Sequence, residues 1–489
     1  MKVLYIAAEC KPFSKAGGVG DVAGELPPAL KKEGIDVAVV TPLYGKIDRK
    51  WIGRESMDYK LNFHGQEEEV QVYEGRLGDV PVYFIANKTY FEGHYREIYI
   101  DSKEIAYYDD ALRFSFFSAA CLPLIERLNP AIVHINDWLL GYLAGYLRME
   151  KKSPKIVLTI HNIGYQGNIG ISTIKDWDMA RILQDPRIGP LFHDPRPAWQ
   201  SVNPLRLAIE LADKVNTVSP TYCREITQPE NQERYFEGGK GLDGITRHKV
   251  EQGDLTGILN GFNYSFAPSE EKWAETLAEK ARWKDSLSAD FPRPSGFLLG
   301  LVGRAVEQKL QLLKEEVDGK SVLAHILDIE NIDVAVLATG LPEYESFLKS
   351  FSGRKNFTAV IAFDQEKARR ISLGCDVFLM PSKYEPCGIT QFESMSYATP
   401  ALVRLTGGLK DTVIPHTEKN GTGFGFDGVT RSEVLRNLID TVREARDVYT
   451  DQPQAFQALQ KRAFAQRFPW ADSVQRYIDD LYLPLVRSS

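Results

Sequence analysis

Four clusters of polar residues stand at the ends of short apolar runs, and each carries side chains suited to an anion or a polyol. The first is Ser14-Lys15-Ala16-Gly17-Gly18-Val19-Gly20-Asp21-Val22. Its glycines let backbone N–H groups approach an anion, a helix opening there adds its positive end, and Lys15 supplies a full charge. Gly18, Gly20 and Ala23 also fit the G-x-G-x-x-A spacing of a dinucleotide loop. That reading is disfavoured, because the loop leaves its strand too early for the tight turn and the next strand ends in Thr41-Pro42 without a ribose-binding acid. The second cluster is His161-Asn162-Ile163-Gly164-Tyr165-Gln166-Gly167, with Asn136-Asp137-Trp138 closing the preceding apolar run. Ligands of open α/β sheets sit beyond the carboxyl ends of strands, which makes His161 and Asp137 candidates for the chemistry.

The third cluster sets Arg304 at a strand end with Lys309 shortly after it. Two such cations suit clamping a diphosphate and neutralising it as it leaves. The fourth, Ser382-Lys383-Tyr384-Glu385-Pro386-Cys387-Gly388-Ile389-Thr390-Gln391-Phe392-Glu393, brings a carboxylate into a Pro/Gly turn before a helix. Backbone N–H groups at that helix start favour a phosphate or sugar oxygen. Glu385 and Glu393 are spaced to aim one carboxylate at each end of a bound nucleotide-sugar. Cys387 borders the turn, and nothing local marks it as a nucleophile. Asp176-Trp177-Asp178 matches the D-x-D of metal-dependent sugar transferases, but no other hard-ligand cluster accompanies it. One of these acids reads as a helix cap, so no metal site is expected. Asp109-Asp110 and Asp479-Asp480 read as solvated helix acids.

These clusters need a scaffold, and the apolar periodicity supplies one. Strand-length runs fall at 3–8, 36–41, 81–86, 131–135, 155–160 and 214–218, with helical stretches at 109–127 and 139–149 between them. Continuous β-branched runs alternating with helices predict right-handed βαβ units and a doubly wound parallel sheet. The pattern restarts after a helical stretch at 269–287 and the connecting segment Phe291-Pro292-Arg293-Pro294-Ser295-Gly296. Its strands are expected at 297–302, 334–338, 358–362, 377–380 and 401–404. The fold class is therefore α/β, with two Rossmann-like parallel-sheet domains facing across a cleft. The expected boundaries are 1–262, 263–470 and a C-terminal amphipathic helix, 471–489, packing back toward the first domain.

Composition narrows the function. The 489 residues carry 59 Lys+Arg against 66 Asp+Glu, a net charge of −7, which argues against a nucleic-acid or membrane-surface binder. An anionic substrate then needs a local cationic cluster. The five cysteines are widely spaced and contain no C-x-x-C, as expected of reduced thiols in a cytosolic protein. Neither a secretory signal nor a transmembrane run is expected.

Taken together, the motifs resemble those of the bacterial and plant glycogen/starch synthases, ADP-glucose-dependent retaining transferases of GT-B architecture. The resemblance is carried by the Lys15–Val22 loop, Tyr108-Asp109-Asp110-Ala111-Leu112-Arg113-Phe114, His134-Ile135-Asn136-Asp137-Trp138 and His161–Gly167. It continues through Thr217-Val218-Ser219-Pro220-Thr221-Tyr222, Ile258-Leu259-Asn260-Gly261, Glu385–Gln391 and Thr406-Gly407-Gly408-Leu409. The resemblance implies that Lys15, Gly17 and Gly18 contact the diphosphate of ADP-glucose, with Asp21 in the same signature. Arg304 and Lys309 would neutralise the leaving phosphate. Phe363 would take the place of an adenine-stacking Tyr. Glu385 would bind the transferred glucose, within a turn that adds Tyr384, Cys387, Gly388, Ile389, Thr390 and Gln391. His161, Asn162 and Asn260 would line the sugar, and Asp137 with Trp138 would shape the acceptor side. No cofactor or metal is implied; the partners are ADP-glucose and an α-1,4-glucan, in cytoplasm or plastid stroma. Leu310 replaces a family Gly, so the loop bearing Lys309 is expected to differ, and Asn263 replaces an Asp. Two alternatives stay open: a catalytically weak glucan-binding homologue that primes or organises granules, and a transferase using UDP-glucose.

Overall fold

The computed structural model describes residues 1–93, 98–99, 109–150, 154–175, 177–287 and 296–487. Tyr108, Asp176 and positions 291–295 of the connecting segment lie outside them. Two sheets organise the described chain. The first is nine-stranded and is built outward from Lys2–Ile6, buried from Val3 onward. On one side it pairs with Asp36–Pro42 and then Val80–Ala86. On the other it pairs with Ile132–Asn136, followed by Lys155–Ile160, Lys214–Thr217 and Leu255–Gly257, every pairing parallel. These runs are mostly apolar and mostly buried, because helices pack over the sheet; buried polar exceptions such as His134, Asn136, Thr159 and Asn216 hydrogen-bond to one another or to neighbouring groups.

One edge departs from the all-parallel expectation. Glu55–Phe63 and Gln66–Leu77 form an antiparallel hairpin that extends the sheet beyond Val80–Ala86. Its residues alternate in exposure, and an ion pair such as Lys60–Glu67 at 2.6 Å sits on the wet face. Antiparallel strands tolerate that one-sided solvation.

The second sheet is six-stranded and parallel, in the order Phe357–Val360, Ile332–Gly340, Phe297–Ala305, Val377–Met380, Ala401–Arg404 and Phe424–Phe426. Each sheet reverses its winding in the middle. In the first the reversal lies between Lys2–Ile6 and Ile132–Asn136, in the second between Phe297–Ala305 and Val377–Met380. A crevice opens outside the carboxyl ends of strands at such a reversal. All four polar clusters fall at those ends.

The expectation of an altered loop at Leu310 is corrected. Leu310 lies in the helix Glu307–Lys314, its amide donates to the Val306 carbonyl at 3.0 Å, and its side chain is buried in the second core. No left-handed backbone is asked of it, so Leu is at no disadvantage against Gly there.

The C-terminal segment is not one regular helix. Trp470–Arg476 passes into a π-helical stretch, Tyr477–Tyr482, and then Leu483–Arg487. Tyr477 accepts a hydrogen bond from Asn216 at 3.1 Å, and the Tyr482 hydroxyl lies 2.7 Å from His134 Nδ1. Residues five apart on a regular α-helix point about 140° apart, and the wider π turn brings both hydroxyls onto the same sheet. Trp470, Val474, Tyr477 and Leu481 belong to the core around the first sheet. The chain crosses between sheets twice side by side, for the Phe262 amide donates to the Phe468 carbonyl at 2.8 Å.

Candidate active site

The glycine-rich loop is held from beneath. Glu9, buried just after the first strand, accepts the Ala16 and Gly17 N–H groups at 2.6 and 2.9 Å. Tyr99 donates to its other carboxylate oxygen at 3.2 Å. In this arrangement the Gly17 N–H is committed to Glu9. The helix Gly18–Lys32 then opens at an exposed glycine with no side-chain cap, which leaves its positive end for an anion. Lys15 pairs with Asp21 at 2.6 Å, and Lys11 lies 3.3 Å from the same carboxylate.

At the neighbouring strand ends, Asn136 is the organising residue. Its amide nitrogen donates to the Ile6 carbonyl at 2.9 Å, and its oxygen accepts from the Tyr5 hydroxyl at 2.9 Å. That oxygen also lies 2.9 Å from His161 Nε2. An acceptor at that position puts the hydrogen on Nε2 and leaves Nδ1 as an acceptor. Burial pushes the His161 imidazole down to about 3, so it is neutral near pH 7. Asp137 accepts the His161 and Asn162 amides at 2.7 and 3.4 Å. Burial nevertheless raises its carboxyl to about 7, against those two amides and with Glu9 repulsion adding to the rise. Its backbone, at φ 56 and ψ −173, lies in a region that only glycine enters freely.

On the facing wall, Lys309 forms an ion pair with Glu385, whose same oxygen accepts from Ser382 at 2.9 Å. Arg304 is exposed near the end of its strand and makes no side-chain hydrogen bond or ion pair among the described residues. The buried Lys383 ammonium bridges Glu237 and Glu307 at 2.8 and 2.7 Å, and its amide donates to the Gln308 carbonyl at 2.8 Å. Gln308 in turn donates to the Tyr384 carbonyl at 3.0 Å. Gln391 is buried and donates to the Cys387 and Gly388 carbonyls at 3.2 Å each. Thr390 begins the next helix, its hydroxyl 3.5 Å from the Met380 sulfur. Gly407 has φ +46, and a side chain there would run into the Glu385 carbonyl. Only glycine lets the neighbouring helix start close enough to support this turn.

The two walls touch. The Ser219 hydroxyl donates to the Pro386 carbonyl at 2.7 Å, Thr221 meets Asp411 at 2.7 and 2.8 Å, and Glu225 accepts the Gly407 amide at 2.9 Å. Gly164 lies against the Tyr384 hydroxyl, and Gly18 against the Ile389 side chain, whose Cδ1 is 3.6 Å from the Gly18 Cβ direction. Asn260 reaches Cys387, whose thiol burial pushes up to about 12, with the Asn260 backbone countering. Such a thiol is inert. Glu393 is raised by burial, countered by Arg369 and, from the opposite wall, Lys15 and Lys11. The amide oxygens of Asn260, Gln308 and Gln391 are buried and make no hydrogen bond among the described residues. Phe363 is 84% exposed.

Several site-building residues escape a reading of motifs. Glu9, Glu237 and Arg404 are buried charges that hold the loops. Arg404 donates to the Tyr235 and Lys383 carbonyls at 3.0 and 2.5 Å. Glu9 carried a signal, an acid directly ending an apolar strand run before a glycine loop; the other two carried none. The solvated reading of Asp109-Asp110 is corrected. Asp109 is buried, and Asp110 pairs at 2.7 Å with the fully buried Arg113 while burial lifts its carboxyl to about 6. Asp178 pairs with Arg181 at 3.2 Å. Cys10 joins Cys387 near the site, since it bridges to Ser14 at the base of the glycine loop.

The model of the starch synthase catalytic domain matches residues 2–248, and that of glycosyl transferases group 1 matches residues 320–455. Glycogen synthase of Geotalea daltonii is 34% identical, covering 99% of this chain and 98% of its own. That of Anaeromyxobacter sp. is 35% identical, covering 98% of each. The chain belongs to the glycogen and starch synthase family. As a synthase of this kind it is a glucosyltransferase. The catalytic domain of starch synthase IV from Arabidopsis thaliana, bound to ADP and acarbose, superposes with a TM-score of 0.82 at 26% identity, covering 100% of this chain and 99% of that one. Sucrose-phosphate synthase from Thermosynechococcus elongatus shares the GT-B fold, at TM-score 0.61 and 17% identity over the whole of both chains. Among the described residues of this synthase, no helix is long and apolar enough to cross a membrane.

Proposed function

We propose that the enzyme transfers glucose from ADP-glucose, with retention, to the non-reducing end of an α-1,4-glucan, and that it needs no metal ion. The observation that carries this is the placement of Lys15 and the Gly18 helix start on one wall, with Arg304 and the Lys309–Glu385 pair on the other. A diphosphate between them would meet cations from both sides. The Arabidopsis relative bound to ADP and acarbose supports a nucleotide and a glucan-like ligand in this family. On this reading residues 1–262 supply the acceptor side, 263–470 the donor side, and 471–489 a return to the first unit.

Each residue then has a task. Arg304 and Lys309 stabilise the charge that grows on the phosphate as the glycosidic bond breaks, the main term in such a transfer. The acceptor hydroxyl attacks C1 from the face that ADP leaves, and its proton passes to the departing phosphate oxygen. Glu385 binds the transferred glucose, and its pairing with Lys309 ties sugar recognition to phosphate neutralisation. His161, neutral and with Nδ1 as an acceptor, takes a hydrogen bond from a glucose hydroxyl instead of moving a proton. The free amide oxygens of Asn260 and Gln391 are further acceptors for hydroxyl groups. Phe363 stacks on the adenine.

The test is incorporation of labelled glucose from ADP-glucose into a glycogen primer, with UDP-glucose as competitor and with EDTA. Incorporation from ADP-glucose that survives chelation is expected. No incorporation by folded protein, or preference for UDP-glucose, would overturn the proposal.

A further inference from the structure

Trp199 is a large exposed aromatic on the surface outside the crevice. It is 53% exposed, yet it is firmly held. The Arg196 guanidinium lies 3.4 Å from the centre of its ring, covering one face. Arg196 is itself fixed by two bonds to Asp194, each 2.7 Å, and it donates to the Lys240 carbonyl at 2.9 Å and to Gln166 Oε1 at 2.8 Å. Gly241, at φ +86, packs its backbone against the same guanidinium, where a side chain would stand 3.1 Å from Arg196 Cδ. An exposed indole is seldom supported so rigidly, and that support removes the entropy cost of ordering it around a ligand.

The same bonds place this ring relative to the crevice. Gln166 closes the His161–Gly167 segment, and Lys240 pairs with Glu237, which holds Lys383 beside Tyr384. Tyr165, from the same segment, is 51% exposed and lies close enough to Tyr384 to perturb its hydroxyl. Two exposed rings, Tyr165 directly and Trp199 through Arg196 and Gln166, are therefore tied to the segment that carries His161. The phosphate-binding cations lie elsewhere, at the glycine loop and on the facing wall, so a charged donor has no reason to reach Trp199.

We propose that Trp199 is a stacking subsite for the acceptor, binding a glucose unit of the α-1,4-glucan beyond those held in the crevice. This rests on the acceptor assigned above. The apolar C–H face of a glucose ring packs on the open face of the indole, while Arg196 backs the other. The occupant is a neutral glucan because the ring offers an apolar plane, with its neighbouring charge already spent on Asp194.

The test is a titration of the protein with maltoheptaose without donor, read by tryptophan fluorescence and by calorimetry, in wild type, Trp199→Ala and Trp199→Phe. The expected result is an affinity loss of about fivefold for Trp199→Ala, a smaller loss for Trp199→Phe, and disappearance of most of the fluorescence change in both. In elongation assays the Trp199→Ala defect should fall on KM more than on kcat and grow from maltotriose to maltoheptaose. Equal affinity of wild type and Trp199→Ala, or a defect independent of acceptor length, overturns the subsite. Absence of any glucan binding by wild type overturns both the subsite and the assigned acceptor. Binding that depends on Trp199 in a protein that fails to elongate leaves the subsite standing and overturns the assigned reaction.

Discussion

Lys309 and Glu385, 76 residues apart, form an ion pair across the reversal point of the second sheet. The pair joins the helix after one strand to the turn after its neighbour, and it places the cation meant for phosphate on the carboxylate meant for sugar. Lys309→Ala should lower kcat about 10²-fold, since it removes charge stabilisation from the departing phosphate. Glu385→Gln should also lose activity, yet it frees Lys309, so ADP should bind as tightly as before or more tightly. Steady-state kinetics with ADP titration separates the two; a parallel loss of ADP affinity in Glu385→Gln would show that the carboxylate does not act on the sugar.

Asp137 combines a carboxyl raised to about 7 with a backbone at φ 56. A carboxyl raised in the folded state binds its proton more tightly there than in the unfolded chain. Its contribution is therefore fully present below about pH 4 and is lost as pH rises through 7. Asp137→Asn should flatten this fall and raise Tm near pH 7.5 by about 2 °C. Asp137→Gly should raise it further by relieving the backbone, while activity falls in both. Thermal unfolding between pH 5 and 8 decides it, and an unchanged slope in Asp137→Asn would assign the pH dependence elsewhere.

The buried imidazoles act in the opposite direction. Burial holds His134 and His161 down at about 3, with His161 adding to the depression of His134. Once unfolded, each takes a proton below about pH 6.5, so the folded state loses stability as pH falls from there toward 3. His134→Gln should make acid unfolding less steep, measured as denaturation midpoint against pH. The kcat profile of the wild type should show no step from His161 between pH 5.5 and 8.

Phe363 offers the cleanest separation of binding from stability. It is 84% exposed, so Phe363→Ala should leave Tm within about 1 °C. Loss of one stacking contact should raise the KM for ADP-glucose about fivefold. A Tm drop of several degrees without a KM change would remove the residue from the donor site.

Strand ends were the most readable part of this protein. The runs at 155–160 and 377–380 are largely apolar and buried on both faces, so their limits mark where the polar clusters must emerge. The hairpin Glu55–Leu77 was hidden because one face is wet and carries charges such as Lys60 and Glu67, which dilute the apolar alternation. The clusters also pointed to the right residues but not to their partners. Lys309 with Glu385, Glu9 with the Gly17 amide, and Ser219 with Pro386 all join elements distant in sequence, and no local pattern encodes such contacts. The π-helical turn at Tyr477–Tyr482 follows from two hydroxyls seeking one sheet, a tertiary demand that a helical period cannot announce.

That returning segment also fixes an order of events in synthesis. The core of the first sheet includes Trp470, Val474, Tyr477 and Leu481, and Trp470 donates to Glu25 at 2.7 Å. A nascent chain therefore exposes an unfinished apolar face from its first strands until the segment from Trp470 to Leu481 has left the ribosome. A premature stop after the second sheet would damage the half of the molecule that was made first.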